Sequence, residues 1–504
     1  MIEAIGNRWD QMNRKEIRAM QLGRLRALVR DRLLPFSPFY ARRLDSLGLD
    51  HRALRRIEDL AAFPFTTKAD VVPSAENPDG PRAFVLKPDA EAIRTRLPRM
   101  ALIRILAEKL LFGADRLQRR LIAEYNPTKI LFTTGRSAAS LPFFLTRYDL
   151  ELLEETGRRI TRVLGLDPRS DRVVSLFPYA PHLAFWQVAA CSEAAGVLTV
   201  DTGGGRVMES DRILDLIGRL KPTTLCGMPG YFYHLLRKAR NEGHAWPFVR
   251  KIALGGEGVP SVLKQKIVAI LGEMGAEEPR VSSVYGFTEA RQCWAECLDA
   301  ENTGFHTSPD LCLIEIVDPK TGEILPEGST GEIVYTGLDG RGSSLLRYRT
   351  GDVVEGGLTH EPCPGCGRVL PRISSRIRRE SNQKTLDVAK VKGAWIDFNA
   401  LAEMLGAEAA IEEWQIVLAK KNDDPFEVDE IELWCALAPQ FDRATFRERI
   451  QRGIAGRTEI HFNRIETVSL DEMLARLGME TKTKEERIVD RRPKREAREE
   501  VKRS

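Results

Sequence analysis

The segment GVLTVDTGGGRVMESDRILDLIGRLKPTTLCG, residues 196–227, decides the fold. GVLTV (196–200) and TTLCG (223–227) are short β-rich runs, and ESDRILDLIGRL (209–220) between them has apolar residues at helical spacing. A strand, a helix of that length and another strand make a β-α-β unit, which builds a parallel sheet. The pattern extends both ways, from Lys129 to about Val317. KILFT (129–133), RVVSLF (172–177), KIALGG (251–256) and VSSVYG (281–286) are further runs, separated by helical stretches such as DLELLEETGRRITRVLG (149–165). The expectation is an α/β sheet.

Downstream, LCLIEIVDP (311–319), GEIVYTGL (331–338) and LLRYRTGDVV (345–354) read as antiparallel strands, with turns at PKTG and DGRG. A second unit starts near Arg376. It has a helix at FNALAEML (398–405), strands at EWQIVLAKK (413–421) and EIELWCAL (430–437), a helix at ATFRERIQRGI (444–454) and a strand near IHFNRIETV (460–468). The fold class is α/β: a large, multi-lobed N-terminal domain with mixed sheets (1–375), a small α+β C-terminal domain (376–494) and a charged tail (495–504). Upstream, RKEIRAMQLGRLRALVRDRL (14–33) is an amphipathic helix pattern, and Thr66 or Thr67 is placed to cap a short helix. Residues 76–90 read as loop. Residues 91–124 read as helix with eight basic side chains to four acidic, a pattern weighed as a solvated basic face rather than a membrane-surface segment.

The 504 residues carry 76 Lys+Arg and 72 Asp+Glu, a net charge of +4. Residues 481–504 hold ten basic and six acidic residues, so the rest of the chain is neutral overall. That argues against a nucleic-acid binder. No run of 18 apolar residues or secretory signal is present, and eight sparse cysteines do not make a disulfide scaffold. A cytoplasmic location is the expectation.

Four turns follow β-runs. LFTTGRSAAS (131–140) offers backbone N–H groups and hydroxyls to a phosphate, although such turns are common in plain loops. ALGGEGVP (253–260) has Gly255 and Gly256, past which a flat ring can approach the backbone. VYGFTEA (284–290) ends in an aromatic, a glycine, a hydroxyl and a carboxylate, a set suited to a ring, a phosphate and Mg²⁺. In LLRYRTGDVV, Asp352 can take two ribose hydroxyls or simply sit in a hairpin turn.

In their order, these motifs resemble those of the adenylate-forming superfamily (acyl-CoA synthetase-like), within it the phenylacetate–CoA ligase-like branch. The resemblance runs from PFYARRLDSLGLDHRALRRIEDLAAFPFTTKADV (38–71), resumes at Thr133 and continues through YGFTE and RYRTGD to KEERIVDRRP (484–493). Residues 76–125 have no counterpart and read as an insertion. The resemblance implies that Thr288 contacts the ATP α-phosphate, Glu289 holds Mg²⁺, and Lys484 of a mobile C-terminal domain stabilises the adenylation transition state. Thr133, Thr134, Gly135 and Ser137 would form the phosphate loop. Gly256 and Glu257 would lie beside the adenine, Tyr285 and Gly286 near the adenine and the acyl pocket, Asp352 on the ribose, and Arg376 on ribose or phosphate. Tyr179, His182 and Phe185 would line the acyl pocket, with a packed or capping role for His182 equally open; Trp186, Phe232 and Tyr233 read as helix core.

The chain also departs from the family. Its phosphate loop has Ala138, Ala139 and Ser140 where the family has glycine, lysine and proline, and Arg378 and Arg379 replace the acidic hinge pair. HEPCPGCGR (360–368) is half a zinc site, Cys363 and Cys366. Relatives with a structural zinc imply Cys297 and His306 as the other half, with Cys293 and His360 as competitors and a pair of buried thiols as the plain alternative. The implied function is ATP-dependent activation of a carboxylic acid, by the resemblance an aromatic or similarly compact one, to an acyl-adenylate and transfer to coenzyme A. The cofactors would be ATP, Mg²⁺ and coenzyme A, with structural Zn²⁺. Rival readings are transfer to an amine, a hydroxyl or a carrier-protein thiol, or a catalytically silent nucleotide- or acyl-binding homologue. A homodimer stays open.

Overall fold

A computed structural model describes residues 9–75, 77–133, 140–379, 388–391, 394–423, 428–455, 461–478 and 485–492. The chain forms two compact units. One comprises 1–229, 243–259 and 271–378; the other comprises 230–242, 260–270 and 379–504.

The first unit is built on a six-stranded sheet, in the order Leu198–Asp201, Arg172–Ser175, Thr224–Gly227, Lys251–Gly255, Arg280–Phe287, Gln292–Ala295. The first five strands are parallel and the last is antiparallel. Five of the six runs read from the sequence lie in it. KILFT does not: Pro127–Phe132 pairs antiparallel with Pro142–Thr146 in a sheet of two strands. The connection between them is too short for the helical crossover that parallel pairing requires.

After this hairpin comes the helix Arg147–Val163, capped by Thr146 and Asp149 in a reciprocal capping box. It packs against Leu183–Ala195 at Gly157, where a Cβ would come within 2.8 Å of the Ala190 backbone. The buried Asp149 carboxylate also accepts from Arg291 Nη1 (2.8 Å), Arg341 N (3.0 Å) and Gly342 N (2.7 Å). Asp149→Ala would leave the buried Arg291 without its ion-pair partner, so the expected cost is about 3–5 kcal/mol. Urea unfolding checks this.

The antiparallel lobe is a four-stranded sheet, Cys312–Val317, Gly331–Gly337, Tyr348–Val354 and Ile377–Arg379. The PKTG turn forms as read, with Asp318 accepting from the backbone of Lys320 and Thr321 at 2.8 Å. The N-terminal helices pack on this lobe through Leu25, Leu28, Phe63, Phe84, Leu346 and Tyr348. Thr67, rather than Thr66, caps the helix Lys68–Val71. Thr66 instead bonds along the lobe: its N–H donates to Arg347 O (2.9 Å), and its carbonyl accepts from Arg349 N (2.8 Å). Residues 76–90, read as loop, contain a short 3₁₀ turn at Gly80–Phe84.

The second unit has a four-stranded mixed sheet, Arg464–Val468, Asp429–Leu437, Ile411–Lys420 and Ile488–Asp490. Phe398, Leu401, Trp414, Leu433, Phe446 and Ile450 form its core. The elements read at 398–468 are present. The helix Leu470–Leu477 and the strand Ile488–Asp490 are additions to that reading.

Candidate functional site

The backbone of Phe132, at the base of the 133–140 turn, joins three of the expected site segments. Its N–H donates to Pro181 O at 2.7 Å. Its carbonyl accepts from the Thr288 hydroxyl (3.3 Å) and lies 2.8 Å from His182 Nδ1. A carbonyl only accepts, so His182 carries a proton on Nδ1. His182 is the backbone N-cap of Leu183–Ala195, but its ring makes no cap bond. Thr133 closes the base of the turn, with its N–H on Leu141 O and its hydroxyl accepting from Leu141 N, both at 3.0 Å. Thr134, Gly135, Ser137 and Lys484 lie outside the described residues.

Thr288 and Glu289 sit in the turn that joins Arg280–Phe287 to Gln292–Ala295, and both are buried. The turn ends at Arg291, a non-glycine residue with φ of 57°. That conformation costs energy, and the Arg291–Asp149 ion pair holds it in place. Glu289 Oε1 accepts from the Tyr348 hydroxyl at 3.1 Å. Mg²⁺ is typically bound through one or two carboxylates plus substrate phosphates, and a buried carboxylate held by Tyr348 is of the type that role needs.

Asp352, on the strand Tyr348–Val354, accepts from the Tyr285 hydroxyl at 2.7 Å. A carboxylate has roughly four acceptor positions, the kind of group that can take two ribose hydroxyls. Gly256 has φ of 85° and is exposed at the end of Lys251–Gly255, with half-buried Glu257 next to it. Gly255 serves packing instead: a Cβ there would come within 2.9 Å of Val284 O. Gly286 likewise has no room for a side chain beside the Gln292 and Cys293 backbone. Arg376 is exposed, its carbonyl accepting from Glu355 N at 2.9 Å and its guanidinium beside Gly356.

On the acyl side, Tyr179 and Phe185 meet edge to face at 5.1 Å, and Phe185 meets Trp186 at 5.2 Å. Trp186 packs half-buried against the core, with Lys129 Nζ 3.1 Å over its ring. Gly203, at φ of 74°, lets the glycine turn press against Tyr179.

Cys297, His306, Cys363 and Cys366 converge, with one ligand atom from each within 4.8 Å of the others. Cys297 Sγ is 3.7 Å from Cys363 Sγ, and Cys366 Sγ is 3.3 Å from His306 Nε2. The strand Phe305–His306 pairs with Arg372–Ile373, which delivers His306 to the knuckle. His306 Nδ1 is 3.3 Å from Ala295 O, the kind of second bond that orients a ligating imidazole. Burial pushes this imidazole down to about 4, so it is neutral at pH 7. Gly365 admits Cys297: a Cβ there would come within 3.0 Å of its sulfur. Both competitors lie elsewhere. Cys293 is a core thiol that burial pushes up to about 12, and His360 pairs with Glu327 at 3.0 Å. Three soft sulfurs and an imidazole are the donor set of a four-coordinate zinc site.

Three further participants were not read from sequence: Tyr348, Asp149 and the Phe132 carbonyl. Tyr348 lies inside RYRTGD, so its position was on view although its partner was not.

Residues 151–339 match the family described as AMP-binding enzyme. Among curated proteins, the chain is 26% identical over 446 residues to a phenylacetate-coenzyme A ligase of Thermus thermophilus, covering 87% of this chain and 85% of that protein. It is 25% identical over 372 residues to the phenylacetate-coenzyme A ligase of Aromatoleum evansii, covering 73% and 70%. Among solved structures, a 2-hydroxyisobutyryl-CoA ligase in its postadenylation state superposes with a TM-score of 0.73 at 20% identity, over 96% of this chain and 92% of that one. At that identity, the structural likeness speaks for the fold. Together with the motifs, these matches bear out the resemblance to the adenylate-forming superfamily, in its phenylacetate–CoA ligase-like branch.

Proposed function

We propose that the chain joins a carboxylic acid to the α-phosphate of ATP and passes the acyl group to coenzyme A. The observation that carries this reading is the Phe132 carbonyl, which the Thr288 hydroxyl and the His182 ring share just ahead of the expected phosphate-binding stretch. In the first step a substrate carboxylate oxygen attacks the α-phosphorus; an O–P bond forms and pyrophosphate leaves. Negative charge builds at phosphorus, and the Thr288 hydroxyl donates to it. Glu289 holds Mg²⁺, which when bound neutralises phosphate charge. Asp352 fixes the ribose, with Tyr285 orienting the carboxylate and packing near the adenine. Lys484 adds a cation to the developing charge. In the second step the thiolate attacks the acyl carbonyl, the C–S bond forms and AMP leaves.

Tyr179 and Phe185 favour a compact, aromatic acid, because edge-to-face rings offer a further ring an apolar wall. Cys297, His306, Cys363 and Cys366 hold a structural Zn²⁺; four protein ligands leave no open position for chemistry. Among the described residues no helix is long and apolar enough to cross a membrane.

ATP–pyrophosphate exchange with a panel of aryl and short-chain acids tests the first step, and thioester formation with coenzyme A tests the second. Acid-dependent exchange followed by a CoA thioester is expected. Exchange with acylation only of a carrier-protein thiol would move the acceptor. ATP binding without exchange for any acid would make the chain a silent binder.

A further inference from the structure

The helix Arg99–Phe112 turns an apolar face to solvent. The sequence pattern led us to expect its apolar side inward and its basic side outward, and the structure departs from that expectation. No residue of this helix is buried. Met100, Ile103, Leu106, Leu110 and Leu111 are exposed by 65%, 55%, 49%, 86% and 75%. At about 100° per residue these positions lie on one side, within an arc of about 140°. Leu102 and Ile105, on other sides, are half-buried. The helix is therefore apolar both toward the protein and away from it. Single exposed leucines are ordinary, but five on one helical face form a patch of the kind that marks an interaction site.

The segment is also separated and basic. Pro98 precedes the helix, and Gly113, with φ of 87°, ends it before Ala114–Tyr125. Arg94, Arg96, Arg99, Arg104, Lys109 and Arg119 are all exposed around it. Of the four carboxylates in the stretch, Glu108 and Glu124 each pair with Arg120 at 2.9 Å. Arg116 lies 4.2 Å over the Phe112 ring at the end of the patch.

Charge decides among the occupants. A second copy of the same face would bring these arginines against one another, a like-charge arrangement that weakens association. A nucleic acid would meet the cations but leave the leucines in water. An anionic bilayer meets both needs: leucine, isoleucine and methionine side chains enter the acyl boundary while the long basic side chains reach back to headgroups. We propose that the helix Arg99–Phe112 and the arginines around it dock the chain on an anionic lipid surface, lying in the plane of the interface without spanning it.

Flotation of the full chain with vesicles tests this. The wild type is expected to float with vesicles of phosphatidylcholine and phosphatidylglycerol, to stay behind with phosphatidylcholine alone, and to lose binding as salt rises. L110E/L111E should lower binding by about tenfold or more, because two carboxylates would face the headgroups. R99Q/R104Q/K109Q should weaken binding and flatten its salt dependence. Both sets are exposed, and an unchanged circular dichroism spectrum confirms the fold. Several results would overturn the proposal: no flotation of the wild type, equal flotation on uncharged vesicles, or undiminished flotation of L110E/L111E. So would light scattering showing a dimer that L110E/L111E splits while vesicles are ignored, since that face would belong to a second copy.

Discussion

Glu289→Gln should lower ATP–pyrophosphate exchange by about a hundredfold to a thousandfold, the range seen when one preorganised electrostatic group is removed from a transition state. The substitution is nearly isosteric. The amide oxygen can still accept from the Tyr348 hydroxyl, which now bonds Oε1 at 3.1 Å, so the turn at 288–291 should keep its shape. What disappears is the negative charge that would hold Mg²⁺, in a place where burial keeps water from replacing it. Exchange measured across a magnesium titration separates this cause from misfolding. The variant should need much more magnesium, and its thermal melting should match the wild type. Wild-type exchange at ordinary magnesium would remove Glu289 from this role. Tyr348→Phe should act in the same direction but less, because it removes one donor from the carboxylate without deleting its charge.

Cys363→Ser should abolish zinc retention and lower the melting temperature by on the order of 10 °C. The cluster joins the stretch after Gln292–Ala295 to the Phe305–His306 strand and the 363–366 knuckle, segments that are distant in sequence. A metal at four converging ligands would tie them, and serine is a poor replacement for a thiolate. Metal analysis of the wild type should find one zinc per chain, and a chelator should reproduce the loss of stability. Wild-type protein without zinc, with an unchanged melting temperature for Cys363→Ser, would assign the cluster to plain core packing. Pyrophosphate exchange below the new melting temperature should survive, since no ligand of the cluster belongs to the nucleotide-facing set.

How much of this was legible in the sequence depends on how local each signal is. The parallel sheet was legible because four of its five parallel strands are short apolar runs followed by a helix of crossover length. KILFT has the same composition but a different partner, and composition does not name partners. The Cys363–Cys366 knuckle was visible as a spacing, whereas His306 joins it through pairing of Phe305–His306 with Arg372–Ile373. Asp149 was hidden in a helix as one of many carboxylates, although it gathers Arg291, Arg341 and Gly342 from positions far along the chain. The helix Leu470–Leu477 did have local signs: Ser469 caps it and Gly478 ends it at φ of 70°. The outward apolar face of Arg99–Phe112 was not legible at all. A helix with leucines on two sides does not say in its sequence which of them the protein will cover.

Nucleotide binding should depend on the Asp352 carboxylate, which Tyr285 holds in place. Calorimetric titration with ATP and magnesium tests it most directly, comparing the wild type with Asp352→Ala. One ATP per wild-type chain is expected, with binding weakened by about tenfold or more in the variant, because two charge-assisted bonds to the ribose would be lost. Absence of ATP binding to the wild type, or equal affinity in Asp352→Ala, would contradict it.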